Sequence, residues 1–308
     1  MTFRFGLMTN NATSRGEWQD RARKVEEAGF DVLLVADHLL AGLAPLTALV
    51  SAADVTRSLR LGVNVIGNDF RNPVMLAHET VTTSLLTDGR FELGLGSGWL
   101  ADDYAWSGIS LDPPPERISR LEEAIQVIKA YWSGEPCDFQ GRYYRLKLPA
   151  ERSLPVREFR PPLMVGGGGK RTLKLAARQA DIISLNPLTT PAGWLDYSTV
   201  TVAATDQKLE WIRQAAGDRL GEKRVCFQFI LTDITDRPEE ALKQLYQGWG
   251  IPEEVLPLQE GLESPMILAG SEAALVEKIH WLHERYGASY FIFYDALEAG
   301  ARLLKHFR

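Results

Sequence analysis

Short apolar runs alternate with stretches of helical period along almost the whole chain, and this alternation restricts the fold more than any single motif does. The first run is Phe3 to Met8. Ser14 with Glu17 then gives a capping-box signature, followed by Trp18, Ala22 and Val25 on one helical face. Asp31 to Val35 is apolar on both faces, as strands covered on both sides tend to be, and it runs out into Ala36, Asp37 and His38. A helix around Pro45 to Val55 precedes a third run, Leu61 to Ile66, after which Asn72 and Pro73 supply an N-cap and a first-turn proline. Phe91 to Leu95 is the fourth run. Ile118, Leu121, Ile125, Ile128 and Trp132 then recur at the steps of an amphipathic helix. Residues 134–160 read as a hairpin or an irregular excursion.

The pattern resumes with Pro162 to Val165, four glycines at 166–169 and a helix carrying Leu173, Ala176, Ala177 and Ala180. Asp181 to Leu185 is a sixth run, followed by an irregular segment from Asn186 to Thr205. Val225 to Leu231 is the seventh and Tyr290 to Tyr294 the eighth, with Leu297 to Phe307 as a closing helix. An extra apolar segment, Pro265 to Ala269, makes the count eight or nine. Such a series in 308 residues favours an α/β fold, a single (β/α)8 TIM barrel with loop insertions over residues 1–308. An open doubly wound sheet would carry a phosphate fingerprint in its first βα turn, and Thr9 to Arg15 has none.

Composition excludes several classes. A formal charge of −6 without long single-sign blocks argues against a nucleic-acid surface, and no window approaches the length of a membrane span. Cys137 and Cys226 form no disulfide framework and have no metal spacing. With so few cysteines a reducing cytoplasm is the expected location, and MTFRFGLMTN does not show the long apolar core of a leader.

Barrels place chemistry where strands stop. His38 closes the second run, and an imidazole there can shuttle a proton or donate to an anionic oxygen; a loop residue bonded to its neighbours is the alternative. Asp37 could orient that ring, but adjacent strand residues face opposite ways, so a structural role is the alternative. Gly96, Ser97 and Gly98, closing on Trp99, describe either a ligand cradle or a tight strand-to-helix turn. Gly166 to Gly169 before Lys170 and Arg171 suit a phosphate at a helix mouth, with a structural turn as the alternative, and Met164 and Arg171 depart from a Walker A loop. His78 reads as packed. His280 and His283 share a helix with Glu277 but lack a third ligand, so no metal is expected.

Five blocks together carry a resemblance: EEAGFDVLLVADH, LGVNVIGNDFRNP, GRFELGLGSGW, RLEEAIQVIKAYWSG and PPLMVGGGGKRTLKLAARQADIISLNP. They resemble the bacterial luciferase-like superfamily, and closely its coenzyme F420-dependent oxidoreductase branch, from Phe3 to about Asn186 with weaker agreement toward Tyr294. The resemblance implies a deazaflavin or flavin ring at the barrel mouth. It matches His38 to a histidine beside the reactive ring and Asp37 to its neighbour. Asn64 and Val65 match a pair joined by a cis peptide, Gly96 to Gly98 a loop along the cofactor, and Gly167, Gly168 and Gly169 with Lys170 the phosphate turn. Where sugar-phosphate dehydrogenases of this branch place a catalytic Glu, this chain has Trp99, which argues against that substrate.

Phe70, Trp99, Tyr104, Trp106 and Trp194 are expected to wall a pocket for an apolar or aromatic small molecule. The resemblance thus implies hydride transfer between coenzyme F420 and an organic substrate, with His38 handling the proton. One rival is an FMNH2-dependent monooxygenase fed by a separate reductase, with FMN in place of F420. Another is a flavin-binding relative without turnover. A homodimer through outer helices is common in the superfamily. Arg71, Lys170 and Arg171 stand near the expected phosphate, whereas Arg152, Arg157 and Arg160 read as a solvated face.

Overall fold

In the computed structural model, residues 3–39, 42–149, 154–190 and 193–308 are described; Arg152 lies outside them. Eight parallel strands close into a barrel: β1 (Arg4–Met8), β2 (Val32–Val35), β3 (Arg60–Val63), β4 (Phe91–Gly96), β5 (Leu163–Gly167), β6 (Ile182–Leu185), β7 (Arg224–Phe229) and β8 (Ala288–Tyr294). Each pairs with its neighbour in chain order. The ring shuts where Arg4 to Met8 lie beside Tyr290 to Tyr294, and where Leu61 and Gly62 meet Phe91 and Glu92. The segment Pro265 to Ala269 resolves the count. Ile267–Gly270 pairs with Leu231–Ile234 in a separate ribbon, off the barrel.

The two-sided apolar pattern of the strands has a direct structural meaning. On β8, Tyr290 and Ile292 join Met8, Val32, Leu34, Ala36, Met164, Ile182 and Cys226 inside the barrel. Phe291 and Phe293 belong instead to the layer between strands and helices. Gly6 leaves room for the Leu34 side chain, since a Cβ there would lie 2.6 Å from a Leu34 methyl and force it to shift. Asp31 and Asp181 each precede a strand and accept a neighbouring strand's N–H, that of Phe5 at 2.7 Å and that of Leu163 at 2.9 Å. Beside the strand starts, buried Glu92 meets Arg4 at 2.5 Å and Arg60 at 2.6 Å.

The helices begin where their capping residues dictate. Ser14 accepts the Glu17 N–H at 3.2 Å, while Glu17 reaches back to the Thr13 N–H at 2.8 Å. Asn72 accepts the Val74 N–H at 2.9 Å ahead of the helix Pro73–Leu86. Residues 134–160 contain the antiparallel hairpin Cys137–Gln140 with Arg145–Leu148. The stretch from Asn186 to Thr205 is more ordered than expected: a small ribbon pairs Leu188–Thr189 with Leu195–Asp196, and a turn of 3-10 helix spans Tyr197–Val200. Pro191 falls outside the described residues. Among the described residues, no helix is long and apolar enough to cross a membrane.

Candidate active site

The C-terminal ends of β2 to β7 converge on one mouth. The peptide bond between Asn64 and Val65, just beyond β3, is cis. Asn64 is buried and donates through its side-chain amide to the Gln228 oxygen at 2.8 Å, which ties the bulge to β7 across the barrel. Val65 fills the room that glycine leaves on the facing strands. A Cβ at Gly96 would fall 2.6 Å from one Val65 methyl, and one at Gly166 3.0 Å from the other. These two glycines therefore serve first to seat the bulge.

Beyond β4, the loop from Ser97 to Trp99 is held from behind. Arg117, on the helix Pro114–Trp132, donates to the carbonyls of Ser97 and Gly98. Gly98 has φ +75°, and a Cβ there would strike the Tyr104 hydroxyl. That hydroxyl lies 3.0 Å from Asp69, which is paired with Arg120 at 2.8 Å. Burial first, then the Asp69 charge, pushes the Tyr104 phenol well above its ordinary range, so it stays a donor.

His38 stands beside this loop with a quarter of its side chain exposed. Its Nδ1 lies 2.6 Å from Oδ2 of Asp103, a buried carboxylate on the short helix Ala101–Ser107, whose Oδ1 accepts the Leu39 N–H at 2.9 Å. The Trp99 indole meets the imidazole edge-on, with centroids 5.6 Å apart at 88°. Asp37 does not orient the ring: its carboxylate takes both Arg71 terminal nitrogens, at 2.5 and 2.9 Å, and the Gly67 N–H at 3.1 Å. Arg71 is spent on that contact.

The glycine run after β5 enters the helix Lys170–Gln179 with no side-chain cap at Gly169, which leaves the first helical N–H groups available to an anion. A Cβ at Gly168 would lie 2.5 Å from the Asn186 carbonyl oxygen, and one at Gly167 2.5 Å from the Thr172 methyl. Lys170 is exposed at the helix start. Arg171 turns away, donating to Pro115 O and Ser119 Oγ at 2.7 Å. Arg157 pairs with Glu135 at the surface.

The aromatic pocket requires correction. Only Trp99 of the expected set touches His38. Tyr104 is 1% exposed and packs under Phe70, with centroids 4.9 Å apart, because its hydroxyl is drawn to Asp69. Trp194 is 65% exposed and Trp106 58%, so neither walls an enclosed space. His78 bonds the Tyr131 hydroxyl at 2.8 Å. His280 and His283 pack against the Phe3 ring, and no cluster of three potential metal ligands occurs among the described residues.

Four contributors were not evident beforehand: Asp103, Arg117, Gln228 and Lys208. Lys208 carried a signal, since it interrupts the apolar stripe of Leu209 and Ile212 in its helix. It is buried there, donating to Asn186 O at 2.9 Å and Thr199 O at 2.8 Å, and burial lowers its amine to about 8.

A profile described as luciferase-like monooxygenase matches residues 1–290. The F420-dependent glucose-6-phosphate dehydrogenase of Amycolatopsis mediterranei (strain U-32) is 34% identical over 171 residues, 52% of this chain and 50% of that protein. The chain thus spans about half the length of such curated relatives. The coenzyme F420-dependent tetrahydromethanopterin reductase of Methanopyrus kandleri superposes with a TM-score of 0.79 at 18% identity, covering 100% of both chains. An F420-dependent secondary alcohol dehydrogenase, solved with an F420-acetone adduct, gives 0.76 at 17% identity, covering 100% of this chain and 98% of that one. Both solved structures share the barrel. With the profile running through nearly all the strands that build this mouth, the chain belongs to the luciferase-like monooxygenase family.

Proposed function

We propose that this chain is an oxidoreductase that uses coenzyme F420 to oxidise or reduce a small, uncharged organic molecule. The observation that carries the reading is the meeting of His38, Trp99, the Asn64–Val65 bulge and two glycine turns at one barrel end. The residues present fit a planar ring with a phosphate arm. Val65 and the loop from Gly96 to Gly98 would lie along the ring, and the uncapped helix after Gly167, Gly168 and Gly169, with Lys170, would take the phosphate. Further support comes from the F420 dependence named for the curated relatives.

When bound, the cofactor would supply the hydride chemistry. The chain's own part is to bind, to orient, to keep water out and to handle a proton at His38. Trp99 puts a neutral ring beside the imidazole where a phosphorylated substrate would need a charged partner, and burying such a charge without one is costly. That favours a neutral, apolar or aromatic substrate.

A second reading, a monooxygenase using FMNH2 from a separate reductase, is favoured by the family's own description. Anaerobic titration of the purified protein separates the two. Saturable absorbance changes with oxidised F420, and much weaker ones with FMN, support the first reading. Tight binding of reduced FMN with oxygen-dependent product removes it.

A further inference from the structure

We infer that Asp103 is a positioning residue that fixes which nitrogen of His38 exchanges a proton; the inference rests on the reading of His38 as the proton-handling group. An ionised carboxylate can only accept hydrogen bonds. With Oδ2 at 2.6 Å from Nδ1, the ring must carry its hydrogen on Nδ1. The lone pair of the neutral imidazole is then on Nε2, the nitrogen left for a substrate.

The carboxylate has little freedom to do otherwise. Asp103 is buried, and its second oxygen is committed to the Leu39 N–H at 2.9 Å, the residue next to His38. One carboxylate therefore grips both the imidazole and the backbone that carries it. Asp37 cannot substitute, being occupied by Arg71 and the Gly67 N–H. When Nε2 takes up a proton, a new N–H bond forms as the substrate's acidic bond breaks, and its electron pair stays on the substrate. The imidazolium charge then lies directly against Asp103, the arrangement by which a buried carboxylate both sets a tautomer and steadies the protonated ring.

Asp103 also arrives with the loop. It lies four residues after Trp99, so the segment that places the indole against the ring also places the carboxylate on Nδ1. Seating of the glycine loop and selection of the tautomer are thereby one structural event.

Asp103→Asn discriminates. The Leu39 N–H needs the asparagine oxygen, which turns the amide NH2 toward the ring and forces Nδ1 to accept. The hydrogen moves to Nε2. The probe is 15N NMR of the histidine rings in cofactor-free protein, with the His38 signal among the five histidines assigned by its loss in His38→Asn. Wild type should show the unprotonated resonance on Nε2, and Asp103→Asn on Nδ1. Diethylpyrocarbonate, an acylating electrophile attacked by the unprotonated imidazole nitrogen with loss of ethyl carbonate, should modify the His38 peptide at least about tenfold more slowly in the variant. If wild-type His38 carries its hydrogen on Nε2, the inference is overturned, and that arm requires no variant. The same tautomer and the same modification rate in both proteins also overturn it. F420 enters none of these measurements, so failure of the cofactor reading is read separately, by titration.

Discussion

At the residue scale, the site depends on groups whose immediate partners leave them one task each. His38 is bonded at Nδ1 by Asp103 and flanked by Trp99, and among the described residues its Nε2 has no hydrogen-bond partner. His38→Ala is expected to lower turnover by about 10²–10⁴-fold while F420 affinity changes little, because a positioned acid or base contributes on that order. Parallel turnover and binding titrations check it, and unchanged turnover would remove the role assigned to this residue. Gly98 answers to a different demand. Its φ of +75° and the Tyr104 hydroxyl close behind it exclude a side chain, so Gly98→Ala should cost about 1–3 kcal/mol in thermal or denaturant unfolding. His38 and Gly98 were legible in the sequence because strand ends and glycine spacing locate them, and the Asn64–Val65 pair because the resemblance to the luciferase-like superfamily implied it. Asp103 was not, because nothing in the order of residues says that a short helix folds back to put its carboxylate on His38. Tyr104 and Trp194 were placed in a pocket by their position in loops, which says nothing of whether a hydroxyl will be drawn inward or an indole left in solvent.

Among elements, the mouth is held by segments that do not line it. The helix Pro114–Trp132 sends Arg117 to two loop carbonyls, and its neighbour Arg120 secures Asp69. Arg117→Leu would take the Arg117 donor from the Gly98 carbonyl and leave the Ser97 carbonyl with the Tyr104 hydroxyl at 3.3 Å, with an expected loss of about 1–3 kcal/mol and weaker F420 binding. Unfolding curves and cofactor titration report the two effects. The helix Val202–Ala216 plays the corresponding part for the glycine turn at the end of β5, since Lys208 fastens the Asn186 carbonyl oxygen near which Gly168 packs. Lys208 has its amine lowered to about 8 by burial, from 10.5, so the unfolded chain binds more protons between those values and stability rises with pH there. Lys208→Met lacks that contribution. The stability gap between wild type and Lys208→Met should therefore widen by about 1–3 kcal/mol from pH 8 toward the unfolded value, measured by denaturant unfolding across that range. A gap constant with pH would mean that the amine is not held in a dry site. The strands themselves were readable because both of their faces are covered, whereas Ile267–Gly270 has the same apolar character and still pairs outside the barrel. Local pattern cannot say which neighbour a strand will find.

For the whole molecule, barrel closure makes distant stretches into one site. His38 after β2, the bulge after β3, the loop after β4, the glycine turn at the end of β5 and Gln228 from β7 are far apart in sequence and meet only because eight strands run parallel. That arrangement followed from the alternation of strands and helices, and membership of the luciferase-like monooxygenase family agrees with it. Cofactor choice and substrate depend on the space over the mouth, which is shaped by loop side chains. The most direct measurement is a crystal structure of the protein with oxidised F420. The account predicts the ring against Val65 and within hydrogen-bond reach of His38, with the phosphate on the N–H groups after Gly169. A ring bound elsewhere, or a phosphate that bypasses the glycine turn, would contradict it.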